Sequence, residues 1–279
     1  MFRPVIRVIV CLLLLGTVAW GAEPPVITAK AALLFDANTG KVLLKKNEDQ
    51  RRAVASTQKL LTSLIIAESG DLDRMVTITA ADANCEPTKL YLKVGDKYSR
   101  RQLLTALLVK SPNDVARALA RDNAGSLDAF AQKMNRKMRD LGGMSSNFVN
   151  PNGLPASDQY STTRDMARVA RAAYFNPTLR GMMSQRYYNF VYASGKTATL
   201  KNTNRVLRGY SFCNGMKTGY TDLAGHCLVS SGTWKGRSVI ALVYGESKAR
   251  IWDESAAMLA YGLGLSRAQL STLRTDSGG

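Results

Sequence analysis

Three short clusters of residues could together perform acyl transfer without a catalytic histidine. The first is Ser56-Thr57-Gln58-Lys59, at the head of an apolar stretch with helical periodicity over residues 56–68. A separation of three places Ser56 and Lys59 on one helical face. With Ser56 at the cap position, its hydroxyl stands at the positive end of the helix dipole, which favours a developing alkoxide. A lysine held in a partly dry cleft beside other cations has its pKa pulled down, and its neutral amine can take the serine proton. The second cluster is Ser111-Pro112-Asn113. As a turn it needs no function. Beside the first cluster, Ser111 can relay a proton between Lys59 and a leaving group, while Asn113 holds Lys59 and the substrate backbone. The third is Lys217-Thr218-Gly219, late in a strand-like run and followed by Tyr220. Lys217 and Thr218 can bind a substrate carboxylate at the cleft edge. Gly219 lets substrate pass close to the strand backbone. The N–H groups of Ser56 and Tyr220 can form an oxyanion hole.

These residues need a frame. Residues 31–35 and 41–45 flank a Gly-ended turn and predict a β-hairpin. Residues 73–79 predict a short strand. Helices are predicted over 103–109, 115–122, 126–141 and 163–175 from apolar spacing and Gly or Asn-Pro stops. Residues 212–220, 225–231 and 237–245 predict three antiparallel strands, and 250–263 a closing helix. Strands at both ends with helices between predict an α+β fold: one antiparallel sheet built from both termini and covered by helices, with a helical insertion over roughly residues 60–180. The expected domain plan is a single catalytic domain over 22–265 and a polar tail over 266–279.

Residues 1–21 carry Arg3 and Arg7, an apolar run from Val8 to Leu15, and Ala19 and Gly21 in a small-x-small pattern. That is the signature of a secretory signal peptide, and it implies export to the periplasm or cell wall. The whole chain of 279 residues has 38 Lys+Arg and 21 Asp+Glu, a net charge of +17. Cleavage removes two arginines and no acid, lowering +17 to +15. No later stretch reaches the length needed to span a bilayer, so no stable membrane anchor is expected once the leader is cleaved. The excess charge suits an anionic wall or lipid surface. The cations are scattered, and nothing resembles a nucleic-acid-binding module. One histidine, His226, and no C-x-x-C spacing argue against a metal site. Three cysteines remain after cleavage, Cys85, Cys213 and Cys227, so at most one disulfide could form. Buried free thiols are the usual outcome in such apolar contexts.

The order Ser56-x-x-Lys59, Ser111-x-Asn113, Lys217-Thr218-Gly219 is the motif order of penicillin-interacting serine enzymes. The chain resembles the serine D-alanyl-D-alanine carboxypeptidases, the low-molecular-mass penicillin-binding proteins. The resemblance runs from about Ala31 to Gly264 and includes residues 53–64, 111–120 (SPNDVARALA), 148–154 (FVNPNGL), 160–167, 200–207 and 215–229 (GMKTGYTDLAGHCLV). It implies a β-lactamase/transpeptidase-like fold and no cofactor. It also implies peptidoglycan stem peptides as substrate, β-lactams as covalent inhibitors, and an arginine of the closing helix near the carboxylate site, for which Arg250 is the matching position. The segment Glu86-Pro87-Thr88-Lys89-Leu90 departs from the family pattern, so that edge of the groove is expected to differ.

Other readings are a D,D-endopeptidase cutting cross-links, a β-lactamase, and a non-catalytic murein-binding scaffold. Class A β-lactamases deacylate with a glutamate between the second and third motifs. Between Ser111 and Lys217 this chain has none, so penicillin is expected to trap the enzyme. A Ser-His-Asp triad would need His226, and a Cys-His pair is defeated by the opposite facing of neighbours on a strand. Gly195-Lys196-Thr197 lacks the glycine a phosphate-binding loop requires, because Phe190 stands there.

Overall fold

The structure is a computed structural model that describes residues 23–275; the leader expected at 1–21 lies outside the described residues. The chain enters through the hairpin β1 (Ala31–Asp36) and β2 (Val42–Lys46). A 3-10 turn, Ala55–Gln58, then runs into α1 (Lys59–Glu68). There follow β3 (Met75–Thr77), α2 (Ala80–Ala83), β4 (Lys97–Ser99), α3 (Arg100–Lys110), α4 (Asn113–Ala124), α5 (Leu127–Asp140), α6 (Thr163–Phe175) and α7 (Pro177–Met183). The last third holds the hairpin β5 (Tyr187–Val191) and β6 (Thr197–Lys201), α8 (Arg205–Gly209), β7 (Cys213–Thr221), β8 (Gly225–Trp234), β9 (Arg237–Glu246), α9 (Ile251–Leu263) and α10 (Arg267–Thr272).

The main sheet is antiparallel with order β2-β1-β9-β8-β7. Strands from the two ends of the chain therefore meet at the β1–β9 pair. Alternate residues of each strand serve two cores, which is why the strands read as continuous apolar runs. Leu33, Phe35, Val229, Ile240 and Leu242 pack into the helical body with α1, α3, α4 and α6. Ala32, Leu34, Leu228, Ala241 and Val243 pack under α9 on the other face. β7 is left at the sheet edge, with β8 as its one neighbour. It runs beside the 3-10 turn that carries Ser56.

The antiparallel α+β plan and the long helices match the sequence reading. Three details differ. Ser56 does not cap α1: it lies inside the 3-10 turn, and its hydroxyl donates to the Asn152 carbonyl instead. Residues 187–201 form a hairpin whose strands bury few side chains, Phe190 and Leu200 among them, so they lack the periodic signal. Gly195-Lys196-Thr197 is the end of that hairpin's turn and the first residue of β6. The polar tail begins with a helix: Ser266 and Gln269 form a reciprocal cap for α10, and Thr275 N donates to Gly209 O. Cys85, Cys213 and Cys227 are free thiols, the last two buried.

Candidate active site

The 3-10 turn that carries Ser56 is held from two sides. The carbonyls of Asn150, Pro151 and Asn152 accept in turn from Gln58 Nε2 (2.5 Å), Thr62 Oγ1 (2.7 Å) and Ser56 Oγ (3.2 Å). Gly153, at φ +82°, then presses against the Ala55 carbonyl, where no Cβ could fit. From the other side β7 comes so close that a Cβ on Gly219 would lie 2.7 Å from Ser56 N. Ala55 itself sits at φ +48°, buried, immediately before the serine. A non-glycine residue there costs about 1–3 kcal/mol and persists only where its surroundings dictate it.

Lys59 begins α1 and is wholly buried. Its Nζ donates to Asn113 Oδ1 (2.7 Å) and Ser111 O (2.9 Å), and lies 3.0 Å from Ser56 Oγ and 3.3 Å from Ser111 Oγ. Burial pulls its pKa down to about 7, opposed by the Cys85 thiol and the Asp114 carboxylate. Desolvation penalises the ammonium, so the neutral amine is well populated at neutral pH.

Ser111 and Asn113 arrive on the corner between α3 and α4. The buried pair Arg100 Nε–Asp122 Oδ2, at 2.6 Å, ties these two helices together. Ser111 ends α3 in the left-handed region (φ 67°), which turns the chain sharply into α4. Asn113 accepts from Lys59 and donates through Nδ2 to Glu86 O (3.1 Å) and Pro87 O (3.0 Å). Asp114, fully buried, accepts from the N–H groups of Leu90 and Leu92. The unusual segment 86–90 is thus pinned by the second cluster, and Pro87 and Thr88 form one wall of the cleft.

β7 supplies the opposite wall. Lys217 and Gly219 share a face of the strand, directed at the 3-10 turn. Lys217 is buried, and its Nζ donates to Thr218 O (2.9 Å). Burial, with the neighbouring Lys59, holds its pKa well below that of an ordinary lysine. Thr218 Oγ1 donates to Thr203 Oγ1 (2.6 Å). Tyr220 is 54% exposed and stacks on His226, ring centroids 4.4 Å apart.

Between these walls lies a cleft of about 360 Å³. Of the expected site residues, Ser56, Ser111, Asn113, Thr218, Gly219 and Tyr220 line it, while Lys59 and Lys217 sit behind its floor. Arg250 is not brought into the wall: it is exposed at the start of α9, and its neighbours Ile251 and Trp252 line the cleft in its place. Among the described residues the lining includes no Asp or Glu. Three contributors went unseen in the sequence: the Asn152 carbonyl, Thr203, and Lys110. The first two fall within the stretches that carry the family resemblance. Lys110 had no signal, being one of 38 cations. Among the described residues no group of three or more His, Cys, Asp or Glu could hold a metal ion.

A nucleophile, a buried amine and a second hydroxyl joined in this way invite comparison with known proteins. The family model for D-alanyl-D-alanine carboxypeptidases (Peptidase_S11) matches residues 19–248. The chain belongs to this family. The D-alanyl-D-alanine carboxypeptidase DacF of Bacillus subtilis is 33% identical over 225 residues, 78% of this chain and 58% of its own length. The D-alanyl-D-alanine carboxypeptidase of Streptomyces strain K15 is 33% identical over 269 residues, 90% of this chain and 92% of its own. Among solved structures, the Streptomyces K15 DD-transpeptidase superposes with a TM-score of 0.82 at 31% identity, covering 88% of this chain and 100% of that one. The D-alanyl-D-alanine carboxypeptidase of Mycobacterium tuberculosis gives 0.83 at 30% identity, covering 89% and 96%. These family members share the transpeptidase fold seen here. The chain spans only 58% of the Bacillus protein, which is therefore substantially longer.

Proposed function

We propose that this chain is a serine D-alanyl-D-alanine carboxypeptidase that trims peptidoglycan stem peptides through an acyl-enzyme on Ser56. The observation that carries the reading is Lys59 Nζ, buried with a pKa of about 7 and set 3.0 Å from Ser56 Oγ and 3.3 Å from Ser111 Oγ. The neutral amine takes the Ser56 proton as Oγ attacks the carbonyl of the penultimate D-alanine. The N–H groups of Ser56 and Tyr220 meet the developing oxyanion. The proton passes from Lys59 through Ser111 Oγ to the departing nitrogen, the C–N bond breaks, and D-alanine leaves. Water then attacks the ester with Lys59 again as base, which frees Ser56. Asn113 holds Lys59 by its carbonyl and the 86–88 wall by its amide. Lys217 sits behind the floor with its Nζ on Thr218 O, and the hydroxyl pair of Thr218 and Thr203 faces the cleft where the substrate carboxylate is bound. Gly219 leaves room for the substrate backbone along β7.

The absence of a carboxylate among the lining residues favours slow deacylation, hence covalent trapping by β-lactams rather than their hydrolysis. Export rests on the signal-like residues 1–21, with the periplasm or cell wall as destination; N-terminal sequencing of the exported protein tests it. Among the described residues, no helix is long and apolar enough to cross a membrane. Incubating the protein with pentapeptide monomers and with cross-linked dimers tests the choice of bond. Release of D-alanine from monomers is expected. Cleavage of dimers alone would make it an endopeptidase, and no product from either would leave a scaffold.

A further inference from the structure

We propose that Lys110 is the specificity-determining cation for the substrate's terminal carboxylate, acting with the Thr203–Thr218 hydroxyl pair. The inference rests on the carboxypeptidase reading and deepens it. Lys217 and Arg250, the cations that the sequence offered for this task, are not among the residues that line the cavity: Lys217 Nζ is buried with its bond to Thr218 O, and Arg250 lies outside the wall. Among the described residues, Lys110 is the single Lys or Arg that lines the cleft. It is half-buried, and no carboxylate forms an ion pair with it there.

Its surroundings complete an anion site. Thr203 N donates to Val109 O at 3.1 Å, which fastens the residue beyond β6 to the last turn of α3, next to Lys110. Thr203 Oγ1 in turn accepts from Thr218 Oγ1 at 2.6 Å, so the Thr203 hydroxyl proton remains available to an incoming oxygen. Lys110, Thr203 and Thr218 thus converge on one corner of the cleft, beside the β7 edge. Among the described residues, no carboxylate in the lining competes for the ammonium. A carboxylate placed in that corner meets one cation and one hydroxyl donor in a partly dry site, where charge-assisted bonds are strongest. Stem peptides also carry carboxylates farther from the scissile bond. Thr203 links the Lys110 end of α3 to Thr218, one residue from Gly219 at the nucleophile, and this placement selects the terminal one.

The test uses the full protein with an N-acyl tripeptide ending in D-Ala-D-Ala, its C-terminal methyl ester, and a second acid substrate bearing an extra carboxylate on the third side chain. Release of D-alanine or its ester gives kcat/KM for each. The acid is expected to exceed the ester in the unmodified enzyme, and in Lys110→Met that ratio falls by about ten- to hundredfold. Lys110→Arg, which keeps the charge, retains most of it. Because both rates come from one preparation, partial misfolding cancels in the ratio. A ratio unmoved by Lys110→Met overturns the assignment. So does a loss confined to the substrate with the extra side-chain carboxylate. If the unmodified protein turns over no substrate and forms no penicillin adduct, the carboxypeptidase reading itself fails, a result separable from the other two.

Discussion

The rate of Ser56 acylation should titrate with Lys59. An ordinary lysine is neutral in only about 4 parts in 10,000 at pH 7, given its reference pKa near 10.4. Burial brings Lys59 to about 7, so about half is neutral at that pH, a gain of roughly three decades in competent enzyme. The sign follows from the role: the base works deprotonated, so the rate rises with pH. About one tenth is neutral at pH 6 and about nine tenths at pH 8, which predicts a tenfold climb and then a plateau. Stopped-flow or gel-based labelling with a fluorescent penicillin, from pH 5.5 to 9, reads this limb. Lys59→Arg should give no labelling at any pH in the range, because a guanidinium does not deprotonate in proteins. A limb centred near 10, a flat profile, or labelled Lys59→Arg would refute the argument that desolvation prepares the base.

Two further outcomes follow from the frame around the serine. Gly219→Ala places a Cβ 2.7 Å from Ser56 N, so the strand or the turn must move; overpacking should cost about 1–3 kcal/mol of stability and acylation should slow about a hundredfold, checked by urea melts alongside penicillin labelling. Asp114→Asn puts an amide where a buried carboxylate now accepts from Leu90 N and Leu92 N. The expected loss is about 2 kcal/mol, seen as a lower urea midpoint with an unchanged slope; an unaltered midpoint would mean that these bonds do not hold the 86–92 segment.

The parts of the fold that bury a periodic face were readable from the chain. β1, β8 and β9 announce themselves as apolar runs because two cores cover them, and α4, α5 and α6 alternate buried and solvated positions clearly. The β5–β6 hairpin and α10 were not readable, since each buries too little to leave a pattern. In the candidate site, the meeting of Ser56, Lys59, Ser111 and Asn113 was legible because the two motifs are residue types at short spacing. What escaped depends on chain crossings: the Asn152 carbonyl reaches Ser56 across 96 positions, and Thr203 meets Thr218 across a turn of backbone that no motif describes. Arg250 shows the converse. The resemblance placed it at the carboxylate site, but α9 begins one residue later and presents Ile251 and Trp252 to the cleft instead.

The central claim is that Ser56 attacks and forms the acyl-enzyme. Intact-mass spectrometry after brief exposure to benzylpenicillin tests it most directly, followed by peptide mapping of the adduct. The account predicts one stoichiometric adduct on Ser56, absent from Ser56→Ala and persisting for many minutes because, among the described residues, no Asp or Glu lines the cleft. An adduct mapped to any other residue, or one still formed by Ser56→Ala, would contradict it.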